Sequence, residues 1–144
     1  MYLLDTNVIS ELRPNKPHAS RSVMAWADTV KIGSLYLSSI TTFELELGVL
    51  QLERKGEGQK LRAWLNALLQ SFSGRILPYD VETSLLCARM HSPDPKSPRD
   101  AMIAAIAMRH DCTLVTRNTR DFARIDVPVF NPWQHHVLQE PGPE

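Results

Sequence analysis

The sequence predicts an α/β fold, a three-layer α/β/α sandwich around a mainly parallel five-stranded sheet. Short apolar segments alternate with amphipathic ones along the first 133 residues, as expected for parallel strands with helices on both faces. The segment Met102–Met108 is apolar nearly all round, which indicates a buried helix. The third apolar segment ends on Pro78 and the fifth contains Pro128, and proline favours sheet edges because it cannot donate to the ladder.

Five short apolar segments have the length and the flanking turn residues of strands. If the two strands with proline lie at the edges, the first, second and fourth are interior. The simplest right-handed winding then gives the order 3-2-1-4-5, with the switch point between strands one and four. The predicted strands are Tyr2–Leu4, Leu35–Ile40, Ile76-Leu77, Thr113–Thr116 and Val127–Phe130.

Helical segments fill the intervals between these strands. A glycine-rich turn at 55–58 separates the second from the third, and Asp80 is placed to cap the fourth. A loop at 91–97 precedes the last helix, where Pro98 suits the first helical position. The predicted helices are Arg21–Val30, Thr42–Glu53, Gln59–Phe72, a segment from Asp80 to Met90, and one that begins at Pro98 and contains Met102–Met108.

Composition limits the function classes. The 144 residues suit one domain, predicted over 1–133, followed by a flexible tail at 134–144. The formal net charge is zero, so a polyanion would have to be held by a local basic patch or by bound cations. Cys87 and Cys112 have no Cys or His at metal-ligand spacing and are expected in the core. Without a membrane-length apolar run or a signal-peptide pattern, the sequence favours a cytoplasmic protein.

Four acids fall at carboxyl ends of predicted strands or amino ends of predicted helices. Asp5 ends strand one, Glu44 opens the helix after strand two, and Asp100 opens the buried helix. Asp121 lies in the loop after strand four, where an acid is also a common turn residue. Such a cluster would be self-repelling without cations, and its oxygen donors suit Mg²⁺ or Mn²⁺. A cation there could polarise a phosphate oxygen and activate a water for in-line attack.

Two of these acids have an equally simple structural interpretation. Glu44 follows Thr41, and Asp100 follows Ser97, at the spacing of a capping box. Acids in a first helical turn are also favoured by the helix dipole. Asp5 differs, because no helix cap obviously needs it. The joint arrangement of the four acids outweighs the separate structural interpretations.

With these segments in place, the chain resembles PIN-domain proteins, and more closely the VapC-type toxins of bacterial toxin–antitoxin pairs. The segments occur in order and span nearly the whole domain, so that the set is specific although no single segment is decisive. They are YLLDTNVISEL at 2–12, SSITTFELELGVL at 38–50, RDAMIAAIAMRH at 99–110, LVTRNTRDF at 114–122 and VFNPW at 129–133.

The resemblance implies a Mg²⁺- or Mn²⁺-dependent endoribonuclease. Asp5, Glu44 and Asp100 match the first three acidic positions of the family, and Thr116 matches its hydroxyl position. Many relatives carry a fourth acid where this chain has Asn118; we assign that role to Asp121, and the site has only three acids if Asp121 points away. Residues beside the acids are expected to bind substrate or support the carboxylates: Thr6, Asn7, Thr116, Arg117 and Asn118.

The predicted helix Thr42–Glu53 is more apolar than one buried face requires, which hints at a partner surface. In the family such surfaces serve homodimerisation and the binding of a small antitoxin. The resemblance therefore implies RNA as substrate, a cognate antitoxin as partner and a homodimer. The apolar positions are Leu45, Leu47, Val49, Leu50 and Leu52.

Two other functions compete with the nuclease. Aspartyl-phosphate chemistry would expect a second Asp two residues after the nucleophile or a Lys after a later strand, whereas Asp5 is followed by Thr6 and Asn7, and strand four leads into Arg117. A non-catalytic PIN-like module that recruits RNA or protein is the closer alternative. Degenerate PIN domains usually lose acids, and RNA binding without metal-dependent products would indicate such a module.

Overall fold

The computed structural model describes residues 1–91 and 97–136. Its centre is a five-stranded parallel sheet in the order β3-β2-β1-β4-β5, which confirms the predicted fold class and strand order. Most of the predicted loop at 91–97 and the predicted tail beyond residue 136 lie outside the described residues. The strands are β1 Tyr2–Leu4, β2 Leu35–Ser38, β3 Ile76–Leu77, β4 Thr113–Val115 and β5 Val129–Phe130.

Proline explains the two edges of the sheet. Pro78 directly follows β3, and Pro128 directly precedes β5. The carbonyl oxygen of Pro128 accepts a hydrogen bond from the Leu114 N–H at 2.8 Å. Pro128 therefore contributes only an acceptor towards β4, and its missing N–H is tolerated because Pro128 lies just before the start of an edge strand.

Within the described residues, six α-helices surround the sheet. Asp80 caps α5 as predicted, its Oδ1 accepting the Thr83 N–H at 2.9 Å. The start of α3 was predicted wrongly: β2 ends at Ser38 and the helix begins at Ser39, because the Ser38 hydroxyl caps it. The helices are α1 Thr6–Glu11, α2 Arg21–Thr29, α3 Ser39–Glu53, α4 Gln59–Ser71, α5 Val81–Met90 and α6 Pro98–Arg109.

Alternate residues of each strand enter two different cores. Leu4 and Val115 pack on one face with side chains of α1 to α4. Leu3 and Leu114 pack on the other face with Ile106 and its neighbours on α6. Both faces of the sheet are thus covered, as a parallel sheet requires.

The buried helix and the two cysteines follow the sequence prediction. Ala101 and the run Ile103–Ala107 on α6 are buried. Cys87 and Cys112 are buried free thiols. Across the part of the chain that the structure describes, no helix is both long and apolar enough to traverse a bilayer.

Candidate active site

Asp5 stands where β1 turns into α1, at the carboxyl edge of the sheet. It is 6% exposed, and its Oδ1 accepts the Thr6 N–H at 2.8 Å. The expectation that no cap needs Asp5 was wrong, since Asp5 is the N-cap residue of α1. Its second oxygen serves another purpose: Oδ2 accepts the Thr116 hydroxyl at 2.7 Å. This bond joins the ends of β1 and β4 at the predicted switch point.

A ring of hydrogen bonds fixes Asp5 and Thr116 relative to each other. The Asn7 amide nitrogen lies 3.4 Å from both Asp5 Oδ2 and Thr116 Oγ1. The Asn7 Oδ1 accepts the backbone N–H of Arg117 at 3.2 Å. The backbone N–H of Asn118 donates to Thr116 Oγ1 at 3.1 Å. Asn7 and Thr116 therefore position the buried carboxylate, whereas Arg117 and Asn118 contribute through their backbone.

Glu44 is held in the site by a hydroxyl and not by a capping box. Ser38 Oγ accepts the Thr41 N–H at 3.0 Å, so the N-cap of the helix is Ser38, three residues before Thr41. The capping-box interpretation of Glu44 is therefore wrong. Instead, the Thr6 hydroxyl lies 3.1 Å from Glu44 Oε1 and 3.2 Å from Thr41 Oγ1. The hydroxyl of Thr6, the first residue of α1, thus links that helix to the acid on α3.

The remaining two acids lie on α6 and on a 3₁₀ segment that follows β4. Asp100 lies in the first turn of α6 and receives a hydrogen bond from Ser97. The Ser97 side chain forms no cap bond to the helix backbone, and its contact with Asp100 joins two side chains, so the expected capping box is not formed. Asp121 is exposed in the 3₁₀ segment Thr119–Phe122, and its backbone N–H donates to the Asn118 carbonyl at 3.1 Å.

The pKa values of three acids report a shared electrostatic environment. Burial raises the pKa of Asp5, and the charge of Asp121 raises it further against the hydrogen bonds from Thr116, Thr6 and Asn7. Burial also raises the pKa of Glu44, to which the charges of Asp5 and Asp100 add. The pKa of Asp100 is raised by burial and by the charges of Asp121 and Asp5. The negative charges therefore raise the pKa values of Asp5, Glu44 and Asp100, and a nearby cation would favour the ionised forms of these three acids.

The donor chemistry of this region fits a hard divalent cation. The converging groups are carboxylates and hydroxyls, which are the ligands that Mg²⁺ prefers. Within residues 1–91 and 97–136, no three His, Cys, Asp or Glu side chains already have the mutual spacing of a metal-ligand set. Binding would therefore require the carboxylates to move towards the ion. A cationic side chain lies at the rim, where Arg99 approaches Glu44 Oε2 at 3.7 Å.

Comparison with known proteins decides the family. The PIN domain model matches residues 2–128. This chain belongs to the PIN-domain family. Toxin FitB of Neisseria gonorrhoeae is 41% identical over 139 residues, which cover 92% of this chain and 99% of FitB. The VapC ribonuclease Y4jK of Sinorhizobium fredii is 36% identical over 143 residues, 93% of this chain and 99% of that protein.

Solved structures agree with this PIN-domain assignment. The structure of FitAB bound to a DNA fragment matches with a TM-score of 0.83 and 38% identity, covering 96% of this chain and 100% of the matched one. A toxin–antitoxin complex from Klebsiella pneumoniae matches with a TM-score of 0.68 and 25% identity, over 92% of this chain and 98% of the matched one.

The structure brings most, but not all, of the predicted site residues into direct contact. Hydrogen bonds join Asp5, Thr6, Asn7, Glu44 and Thr116, whereas Asp100 and Asp121 act on the others through their charge. The sequence analysis did not predict a role for Ser38 and Thr41. Their hydroxyls are hydrogen-bonded to each other, and the Thr41 hydroxyl also contacts the Thr6 hydroxyl. The cluster of Ser and Thr letters at 38–42 was the available signal for it.

Proposed function

We propose that this PIN-domain protein is a metal-dependent endoribonuclease and the toxin of a toxin–antitoxin pair. One observation carries the proposal: Asp5 is buried at the switch point, hydrogen-bonded to Thr116, and tied through Thr6 to a second carboxylate, Glu44. Open α/β sheets bind ligands at this position. The names of the two relatives, a ribonuclease and a toxin, support the same function.

In the proposed site, Asp5, Glu44, Asp100 and Asp121 hold Mg²⁺, for which Mn²⁺ can substitute. When bound, such a cation polarises a phosphate oxygen and lowers the pKa of a bound water. Thr116 positions Asp5 by donating to Oδ2. The neighbouring Thr6 orients Glu44, and so the two carboxylates from different segments face the same space.

Asp121 is our choice for the fourth acidic position. Its charge acts on both Asp5 and Asp100. Asn118 has a neutral side chain, and its backbone N–H is engaged with Thr116. Arg117, whose guanidinium lies 5.1 Å from the Trp133 ring centroid, is proposed to contact substrate phosphates.

A small antitoxin and a second copy of the chain are the proposed protein partners. The similarity to FitB and to a toxin–antitoxin complex supports the antitoxin. Large apolar side chains at Leu50, Val81 and Leu85 are exposed, and protein partners often cover such side chains. Co-purification with the product of a short neighbouring gene, and light scattering of the purified protein, test the two partners.

An end-mapping experiment tests the activity. Purified protein is incubated with total RNA in Mg²⁺ or in excess chelator, and new 5′ ends are sequenced. We expect discrete ends with Mg²⁺ only, and none with Asp5→Asn. Asp28→Asn is the matched control, because Asp28 is exposed on α2 and outside the site. Full activity of Asp5→Asn, or of the wild type in chelator, would refute the proposal, and RNA binding without products would favour a non-catalytic module.

A further inference from the structure

We propose that Phe43 and Arg99 form a nucleotide-binding element at the rim of the acidic site, in which the Phe43 ring stacks on an unpaired base and Arg99 contacts the adjacent phosphate. This inference rests on the proposed ribonuclease function, because it identifies residues that bind the RNA beside the scissile bond. It assigns a role to two side chains that the chemistry of the four acids does not use.

Phe43 is an aromatic ring that the fold leaves in solvent. It lies on α3, whose buried residues are Thr41, Leu45 and Val49. Phe43 is 53% exposed, and among the exposed large apolar side chains of the described residues it is the aromatic one. By contrast, Trp26 is buried between Tyr2 and the core. The part of the Phe43 ring that Arg99 leaves in solvent is therefore available to a ligand.

Arg99 connects this ring to the acidic site. Its guanidinium carbon lies 5.1 Å from the Phe43 ring centroid, and one terminal nitrogen lies 3.7 Å from Glu44 Oε2. The side chain of Arg99 is 51% exposed. Phe43 and Arg99 are the immediate chain neighbours of the site acids Glu44 and Asp100. A planar cation and an apolar ring thus stand together beside the carboxylates.

This combination matches the chemistry of a single-stranded nucleotide. Unpaired bases stack on aromatic rings and on guanidinium planes, and every base offers a face for this. The phosphate needs positive charge, since the four acids would repel it and the chain has no net positive charge. Arg99 places that charge between the acids and the ring. A base-paired nucleotide could not offer its face to Phe43, so the element favours unpaired RNA.

Two fluorescent RNA probes separate stacking from phosphate contact. One is a single-stranded 12-mer of mixed sequence, and the other replaces its central bases by abasic tetrahydrofuran residues while keeping every phosphate. Binding is measured by anisotropy in excess chelator, so that cleavage is off and repulsion from the acids affects both probes alike. We expect the wild type to prefer the probe with bases by about tenfold. Phe43→Ala should abolish the preference, and Phe43→Leu, a milder change, should do the same.

Arg99 variants should behave differently. Arg99→Ala should weaken the binding of both probes equally. It should also reduce the slope of log affinity against log salt by about 0.7, the value for one phosphate contact on a single strand. Arg99→Lys should restore the salt slope. Matched controls are Met24→Ala, an exposed apolar residue on α2, and Arg54→Ala at the other end of α3. Both should keep the base preference and the slope.

A failure of this inference can be distinguished from a failure of the proposed ribonuclease function. Cleavage of the mixed probe by the wild type in Mg²⁺, run in parallel, judges the ribonuclease itself. A Phe43→Ala or Phe43→Leu protein that remains folded by circular dichroism and keeps the full base preference overturns the inference. The inference also fails if Phe43→Ala changes the mass seen by light scattering but not the base preference, since Phe43 would then belong to a protein interface.

Discussion

Replacing Glu11 by Gln should destabilise the fold in a pH-dependent manner. Glu11 ends α1 and is 7% exposed. Its carboxylate accepts hydrogen bonds from the Lys16 ammonium at 2.6 Å and from the Ser20 N–H at 2.7 Å. These bonds connect the end of α1 to the start of α2. The loop between them holds Asn15 and His18 at φ values of 61° and 56°, a backbone region that non-glycine residues rarely occupy. Glu11 therefore secures a strained connection.

The magnitude follows from the bonds that Gln cannot make. A Gln oxygen can still accept the Ser20 N–H, so the loss is the charged contact with Lys16. A hydrogen bond to a charged group contributes about 1.5–3 kcal/mol. Because the Lys16 side chain is 29% exposed, solvent screening places the loss in free energy of unfolding in the lower half of this range, at about 2 kcal/mol. For a chain of this size that corresponds to a fall of about 6 °C in Tm.

The stabilisation by Glu11 should decrease as the pH falls. Although burial opposes it, hydrogen bonding to Lys16 and Ser20 lowers the pKa of Glu11 below its ordinary value of 4.5. The stabilisation is therefore complete above pH 4.5 and is lost as the pH falls through the lowered pKa. Urea denaturation of wild type and Glu11→Gln should differ at pH 7 and converge in acid. Glu82→Gln, which breaks an exposed pair with Arg109, should change stability little. An undiminished difference at acid pH would refute the reasoning.

Two further predictions concern the acidic site. Thr116→Val removes the donor to Asp5 Oδ2 and should lower cation affinity or activity by about 10- to 100-fold, as loss of a ligand's hydrogen-bond partner does. Titration calorimetry with Mn²⁺ measures the affinity, and RNA cleavage measures the activity. If both are unchanged, Thr116 does not position Asp5. Asp121→Asn should weaken Mn²⁺ binding because a carboxylate that acts on Asp5 is lost, and adding Asn118→Asp should restore binding if either position can supply the fourth acid. If Asp121→Asn binds Mn²⁺ as well as the wild type, the fourth position is not Asp121.

Strand order was predictable because it depends on chemistry that a single residue carries. Pro78 and Pro128 cannot donate to a neighbouring strand, and this alone placed β3 and β5 at the edges. The boundaries were less predictable. The hydroxyls at 38–42 offer several possible caps within five residues, and which of them starts α3 depends on the end of β2. The choice of Ser38 over Thr41 invalidated one structural explanation of Glu44.

Chain order and residue type established the α/β class, the sheet order and the presence of acids at strand ends, because periodicity and proline act locally. The contacts that organise the site are not local. Asp5 meets Thr116 across 111 positions, and Thr6 meets Glu44 across 38. Those distances, the exposure of Phe43 and the place of Arg99 beside it depend on how helices pack across the sheet, a balance of burial and hydrogen bonding among distant segments that no local pattern encodes.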